Sequence, residues 1–258
     1  MIKIKTLIHE KEKTYLLIMK ILGIILWLIL LFASMGTILI WGAFIAFGLW
    51  ISGLYFKAVI YGDSVKVSPS QFPEIYDIII EQSNKLNLTN IPEVFIYNGS
   101  GLVNAFAVKF LSAKYVILMS DLVDLSLKRG KIKELSMIIG HELGHHAAGH
   151  TSFLKGLLIK PANFVPFLGS AYSRACEFTA DRIGFTLTED LSASENALVA
   201  LALGSESLAN DTNIEAFILQ EKEIPDFMGF IHKIYSTHPR MTKRVIEIRK
   251  FNKLYLNK

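Results

Sequence analysis

From Ile21 to Phe56 the chain runs 36 residues without a charged side chain. One helix of that length would span about 54 Å at 1.5 Å per residue, against a hydrocarbon core of about 30 Å. A break at Ser34-Met35-Gly36-Thr37 resolves the mismatch, giving two helices over roughly 17–34 and 38–56, each close to the minimum spanning length. A secretory signal does not fit, because the apolar region is far too long and no small-residue cleavage pattern follows. The sequence therefore predicts a transmembrane helical hairpin over 17–56, preceded by a basic head, 1–16, with Lys3, Lys5, Lys11 and Lys13 against Glu10 and Glu12. A positive head favours a cytoplasmic N-terminus. Two crossings return the chain to the same side, so residues 57–258, beginning with Lys57 and Lys66 near the membrane, are expected on the cytoplasmic face of a cell or inner membrane. A single long span would turn that domain outward.

The apolar run also accounts for the hydrophobic fraction of 52% and the mean hydropathy of +0.39. The net charge of +4 and pI of about 9.0 are read as charge for a membrane surface. No nucleic acid is expected, since the lysines gather beside the apolar run and at the C-terminus, without aromatic interleaving or zinc-finger spacing. The one cysteine, Cys176, excludes an intramolecular disulfide and a cysteine zinc cluster. It reads as a small buried hydrophobe.

Chemistry concentrates at His141-Glu142-Leu143-Gly144-His145. Ile132, Leu135, Ile138, Ile139 and Leu143 recur at three- and four-residue steps, which predicts a helix. On it His141 and His145 differ by about 40° around the axis, so both imidazoles reach one ion. Zn²⁺ takes imidazole nitrogen at about 2.0–2.1 Å, and a catalytic site needs three protein ligands and an open position for water. Glu142, angled off the ligand face, is placed to take a proton from that water. Gly140 and Gly144 cost about 1 kcal/mol each against Ala in a helix, which a closely passing backbone would explain. His-Glu-x-x-His also arises by chance on amphipathic helices, so a third ligand is required. Glu177 comes 32 residues after His145 and shares a predicted helix face with Asp181. Glu177 would complete a His₂Glu set, and Asp181 would accept an N–H from a ligand histidine and fix its tautomer.

Around these helices the pattern is mixed. Pro73 to Leu86 has helical spacing. Val94–Tyr97, Ala105–Phe110 and Tyr115–Met119 read as short strands, the last two joined by a turn at Ser112-Ala113-Lys114. Further helices are expected from Leu122, from a Ser192/Glu195 capping box, over Ile214–Glu223 and over Met241–Asn252. The expected class is α+β, mainly helical, with a small antiparallel sheet whose edge an extended substrate could join. Residues 151–173 are apolar but interrupted by Lys155, Lys160, Pro161 and Pro166. They read either as a loop packed on the core or as a lid resting on the membrane.

In order, the apolar hairpin, Asn104-Ala105-Phe106, the His-Glu-x-x-His helix, Glu177-x-x-x-Asp181 and Thr237-His238-Pro239 with Arg244 resemble the membrane zinc metallopeptidases. That family includes the HtpX heat-shock protease and the CAAX prenyl endopeptidase. The resemblance implies a zincin-like domain over 57–258, one Zn²⁺ per chain on His141, His145 and Glu177, and Glu142 as general base. It implies further that Asn104, Ala105 and Phe106 line the cleft and bind substrate backbone, and that His238 and Arg244 steady the oxyanion. Two spans are similar to HtpX and unlike the many-span prenyl endopeptidase. HtpX-type proteins carry further apolar spans after the metal helix, where this chain has only 151–173, and Arg240 stands where a second proline often follows.

The other histidines read as bland. On a regular helix His150 lies roughly 180° round from His141 and cannot share its ion. His146 carries no further signal, and His9 and His232 have no visible partners. The expectation is thus a membrane-anchored zinc endopeptidase acting on peptides or on unfolded or membrane proteins, in quality control or processing. Two readings stand beside it: a metal-binding membrane scaffold that cuts nothing, against which Glu142 argues, and a dedicated processing enzyme for lipidated or C-terminal peptides.

Overall fold

Two long helices carry the apolar run in a computed structural model that describes residues 2–101, 104–110, 113–128 and 130–256. After a short α1 (Ile4–Leu7) come α2 (Glu10–Ala33) and α3 (Ile38–Asp63), with the turn between them at 34–37, as expected. Both reach further toward the domain than the sequence suggests, and residues 10–16 continue α2. At 24 and 26 residues and mean hydropathy 2.8 and 1.9, each is long and apolar enough to cross a membrane. Phe32, Trp41 and Phe44 remain 79%, 67% and 67% exposed, leaving these faces open to an apolar partner or phase outside the chain.

The next elements are β1 (Ser64–Lys66), α4 (Pro73–Lys85), β2 (Glu93–Tyr97), β3 (Ala105–Phe110), β4 (Ala113–Met119) and α5 (Ser120–Lys128). The strands form one sheet in the order β1-β2-β4-β3. The expected antiparallel sheet is corrected here to a mixed one. β1 with β2 and β3 with β4 are antiparallel, but β2 and β4 run parallel, Val94 opposite Val116 and Tyr97 opposite Met119. The chain leaves β2, passes the position of β4 and lays down β3 outside it. The β3–β4 hairpin then returns β4 into the gap with β2's direction. Tyr115 to Leu118 are buried accordingly, and β3 becomes an edge. Ser112 of the expected turn lies outside the described residues, and Ala113 and Lys114 already belong to β4.

The remainder is helical: α6 (Ile132–Ala147), α7 (Phe153–Ile159), a 3₁₀ turn (Lys160–Phe164), α8 (Leu168–Thr188), α9 (Leu191–Leu203), α10 (Glu206–Asp211), α11 (Ile214–Leu219), a second 3₁₀ turn (Gln220–Lys222), α12 (Asp226–Tyr235) and α13 (Met241–Leu256). The Ser192/Glu195 capping box does not form. Asp190 caps α9 instead, accepting the Ala193 N–H at 3.0 Å, and Glu195 pairs with Arg249. The core joins Ile79 of α4, Leu118 of β4, Leu135 and Leu143 of α6, Ile183 of α8, Leu198 of α9 and Val245 of α13, so α6 runs through the middle of the domain.

Residues 151–173 have two unlike faces. One face packs, though on α2: the Trp27 Nε1–H donates to the Leu157 carbonyl at 2.9 Å, and Ile159, Ala162 and Tyr172 cluster with Met19. A Cβ on Gly23 would run into the Leu158 carbonyl oxygen, so glycine lets α7 lie against α2. The other face leaves Leu154 and Phe164 76% and 85% exposed.

Candidate metal centre

The centre is built where α6 and α8 cross. A Cβ on Gly184 would lie 2.8 Å from the Met137 carbonyl oxygen, and one on Gly140 would lie 3.1 Å from the Gly184 Cα. The helix-propensity cost of Gly140 is thus offset by a close approach that sets α8 across the ligand face of α6. Glu177 consequently faces His141 and His145. The two Nε2 atoms are 3.2 Å apart, and the Glu177 oxygens stand 3.6 Å from that of His141 and 3.4 Å from that of His145. Atoms each about 2.0–2.1 Å from a tetrahedral ion are about 3.3–3.4 Å apart, close to these spacings, with the two Glu177 distances running to different oxygens, Oε2 to His141 and Oε1 to His145. Burial works against a charged Glu177. Hydrogen bonds from His145 and His238, with the charges of Arg244 and His141, outweigh it and hold the carboxyl well below its ordinary range.

Glu142 is buried beside its neighbours on α6 and lines the same cavity, of about 500 Å³. Asn104 to Ala107 form another wall. Phe106 is opposite Ile117 in the sheet, and the Asn104 carbonyl accepts the Met119 N–H at 3.0 Å. The edge strand β3 therefore borders the ligand triangle.

Behind His141 stands an ion pair. Its Nδ1 is 2.9 Å from Asp181 Oδ1, while Arg244 donates from Nε to Oδ2 at 2.8 Å and from Nη2 to Oδ1 at 2.5 Å. Burial opposes ionisation of Asp181, but the Arg244 guanidinium and His141 win, and its carboxyl is held below the usual value. Arg244 itself is buried, with Nη1 3.6 Å from Glu177 Oε2. Most of its fork is thus spent on Asp181, while Nη1, beside Glu177, donates to Met241 Sδ at 3.8 Å. His238 is more open: its side chain is 66% exposed, with Nδ1 3.4 Å from Glu177 Oε2. The Glu177 contact raises its pKa, against burial. The loop carrying it is fastened on both sides. Arg174 donates to the Ser236 carbonyl, and Arg240 binds Glu221 through Nε at 3.1 Å and the Gly229 carbonyl at 3.1 Å. Arg240, where the resemblance leads one to expect proline, fixes this loop through an ion pair.

His150 is not bland. α6 ends at Ala147, Gly149 takes φ 69°, and the chain doubles back, bringing His150 Nδ1 to 2.8 Å from His145 Nδ1. A regular helix would have kept the two rings apart, but the helix has stopped. His150 Nε2 is 3.1 Å from Glu12 Oε1 on α2, and burial brings the His150 pKa down to about 4 despite that carboxylate. His9 also has partners: its Nδ1 accepts the Lys11 N–H at 3.2 Å, capping α2, and its ring lies 5.2 Å from that of Phe178. His146 turns away from the ligands to Thr151 Oγ1 at 2.9 Å and the Tyr115 carbonyl at 3.1 Å, fastening α6 to β4. Cys176 is buried between α2 and α8. The glycine just before His150 is the one signal that could have flagged it. Nothing local points to Glu12.

The profile of peptidase family M48 matches residues 69–162 and 152–252. The plastoglobule-localized metallopeptidase 48, chloroplastic, of Arabidopsis thaliana is 26% identical over 175 residues, 62% of this chain and 49% of that protein. The chain thus spans about half the length of this curated relative. Among solved structures, the crystal structure of S. mikatae Ste24p matches over 86% of this chain and 57% of its own, at 14% identity and a TM-score of 0.46.

Proposed function

The chain belongs to peptidase family M48, and from that premise we propose that it is a zinc-dependent endopeptidase anchored in a membrane by α2 and α3. The observation that carries this reading is the triangle of His141, His145 and Glu177 beside the carboxylate of Glu142. Zn²⁺ on that triangle, one per chain, supplies Lewis acidity: it lowers the pKa of a water toward neutrality and polarises the scissile carbonyl. Glu142 accepts the proton from the attacking water and delivers it to the leaving amine. Asp181, braced by Arg244, keeps the His141 proton on Nδ1 and its Nε2 lone pair toward the centre. His238 and the Nη1 end of Arg244 donate to the oxyanion; losing one such donor costs about 10²–10³ in rate. Asn104, Ala105 and Phe106 align an extended substrate backbone along β3.

The basic head puts the domain on the cytoplasmic face. The substrates are peptides or locally unfolded and membrane proteins, cut in quality control or processing. One observation favours a second reading, processing of lipidated peptides. An apolar cavity of about 1620 Å³ between α2, α3 and α7 reaches Thr237, next to His238.

The purified chain in detergent is compared with Glu142→Gln for cleavage of a loosely folded protein, with zinc content measured in both. Cleavage by the wild type and none by a zinc-loaded variant supports protease and base together. Equal cleavage overturns the base. Zinc in both and cleavage by neither shifts the reading to a scaffold or a narrow processor, and a lipidated peptide separates those two.

A further inference from the structure

A histidine that binds metal through Nε2 carries its proton on Nδ1, and the acceptor of that proton sets the ring's orientation and basicity. For His141 the acceptor is Asp181. For His145 it is another histidine, and the sequence of bonds does not end there. His145 Nδ1–H donates to His150 Nδ1 at 2.8 Å, which places the His150 proton on Nε2, where Glu12 Oε1 accepts it at 3.1 Å. The other Glu12 oxygen accepts from the Thr179 hydroxyl at 2.5 Å, and the Thr179 oxygen accepts the His9 N–H at 2.9 Å. With an ion on His145 Nε2, each donor meets one acceptor and all four bonds run in one direction. The His150 and Glu12 side chains are 7% and 2% exposed, leaving water little access to replace any of them.

We propose that Glu12 is a positioning residue of the metal centre: through His150 it holds His145 in the tautomer and orientation that bind the ion, making the first apolar helix a structural part of the site. This rests on the reading of His145 as a ligand. A rival occupant for the same place is a second ion, because a ligand atom of Cys176 lies within 4.8 Å of those of Glu12 and His150. The geometry opposes it: both Glu12 oxygens are already engaged, Oε1 with His150 Nε2 and Oε2 with the Thr179 hydroxyl.

The test uses the full chain in detergent, with zinc affinity read by chelator competition and the site's geometry read from the visible bands of the cobalt-substituted protein. Glu12→Ala weakens zinc binding about 10–100-fold and shifts the cobalt bands. Glu12→Gln, whose amide oxygen still accepts the His150 N–H, stays within about threefold of wild type. His150→Phe keeps the volume and removes the relay. It matches Glu12→Ala, and the double variant is no worse than either single one. Should Glu12→Ala not fold, His150→Phe decides. Native affinity and native cobalt bands in His150→Phe overturn the proposal, as does a second zinc equivalent that Cys176→Ala abolishes. His145→Ala separates the two levels. If it keeps its zinc, the ligand reading itself fails; if it loses zinc while His150→Phe keeps it, only the relay fails.

Discussion

His141 and His145 are one turn apart on α6, yet what stands behind them differs in kind. His141 is backed by a charged pair, Asp181 and Arg244, from α8 and α13. Both lie inside the stretch that matches the peptidase family. His145 is backed by a neutral imidazole and then by a carboxylate from α2, which lies outside that stretch. The first arrangement is confined to the domain and combines Coulomb attraction with bidentate geometry. On the proposed reading the second conveys position from α2 without putting a charge directly against His145. The two histidines are thus held by separate parts of the molecule.

The largest expected effect comes from the charged side. Asp181→Ala leaves Arg244 buried without its partner and costs about 3–5 kcal/mol of stability, read from thermal or denaturant unfolding in detergent. Replacing both by leucine recovers part of that stability but not zinc affinity, because His141 still lacks its acceptor. If the double variant binds zinc normally, the pair is structural only. Next is the crossing that brings both sides together. Gly184→Ala forces a Cβ against the Met137 carbonyl, costs about 1–3 kcal/mol and weakens zinc binding by displacing Glu177. Unchanged zinc affinity would show that α8 can shift without moving its carboxylate.

A pH experiment probes the loop of His238. Burial opposes the Glu221 charge, but hydrogen bonds from Arg240 and Thr242 prevail and bring its pKa from 4.5 down to about 2. A depressed folded pKa means that the stabilisation is complete above about pH 4.5 and is lost as pH falls toward 2. The unfolding midpoints of wild type and Glu221→Gln therefore differ most above pH 4.5 and converge in acid. A constant gap would mean the ion pair is not the source. The smallest effect is on the membrane side. Trp27→Phe removes the hydrogen bond to the Leu157 carbonyl and costs about 0.5–1.5 kcal/mol, loosening α7 from α2 while leaving zinc affinity at its wild-type value.

Much of this was legible because it is local. The break at 34–37, the helix carrying His141 to His145 and the four-residue step from Glu177 to Asp181 each follow from spacing within one element. What was not legible depends on how distant elements meet. The parallel pairing of β2 with β4 is decided by where β3 goes, which the strands' own residues do not encode. Helical spacing sets His150 opposite His141, but the helix ends at Ala147 and the spacing no longer applies. Asp190 displaced Ser192 as a cap by a single choice of start residue. The bond from Thr179 to Glu12 joins residues 167 apart in the chain, beyond any local pattern.

Glu12 precedes its partners His150 and Thr179 by 138 and 167 residues, with both apolar helices in between. With α2 and α3 crossing a bilayer as proposed, the carboxylate meets them only if the segment before α2 lies on the same side as the domain after α3. Ile2, Ile4 and Leu7, which join the main core, impose the same requirement. An even number of crossings satisfies it. A chain inserted with its head on the wrong side could still fold α6 onto α8, but His145 would have no carboxylate behind its relay. On the proposed membrane reading, the Glu12–His150 contact thus couples completion of the centre to an even number of crossings, whichever way the hairpin faces.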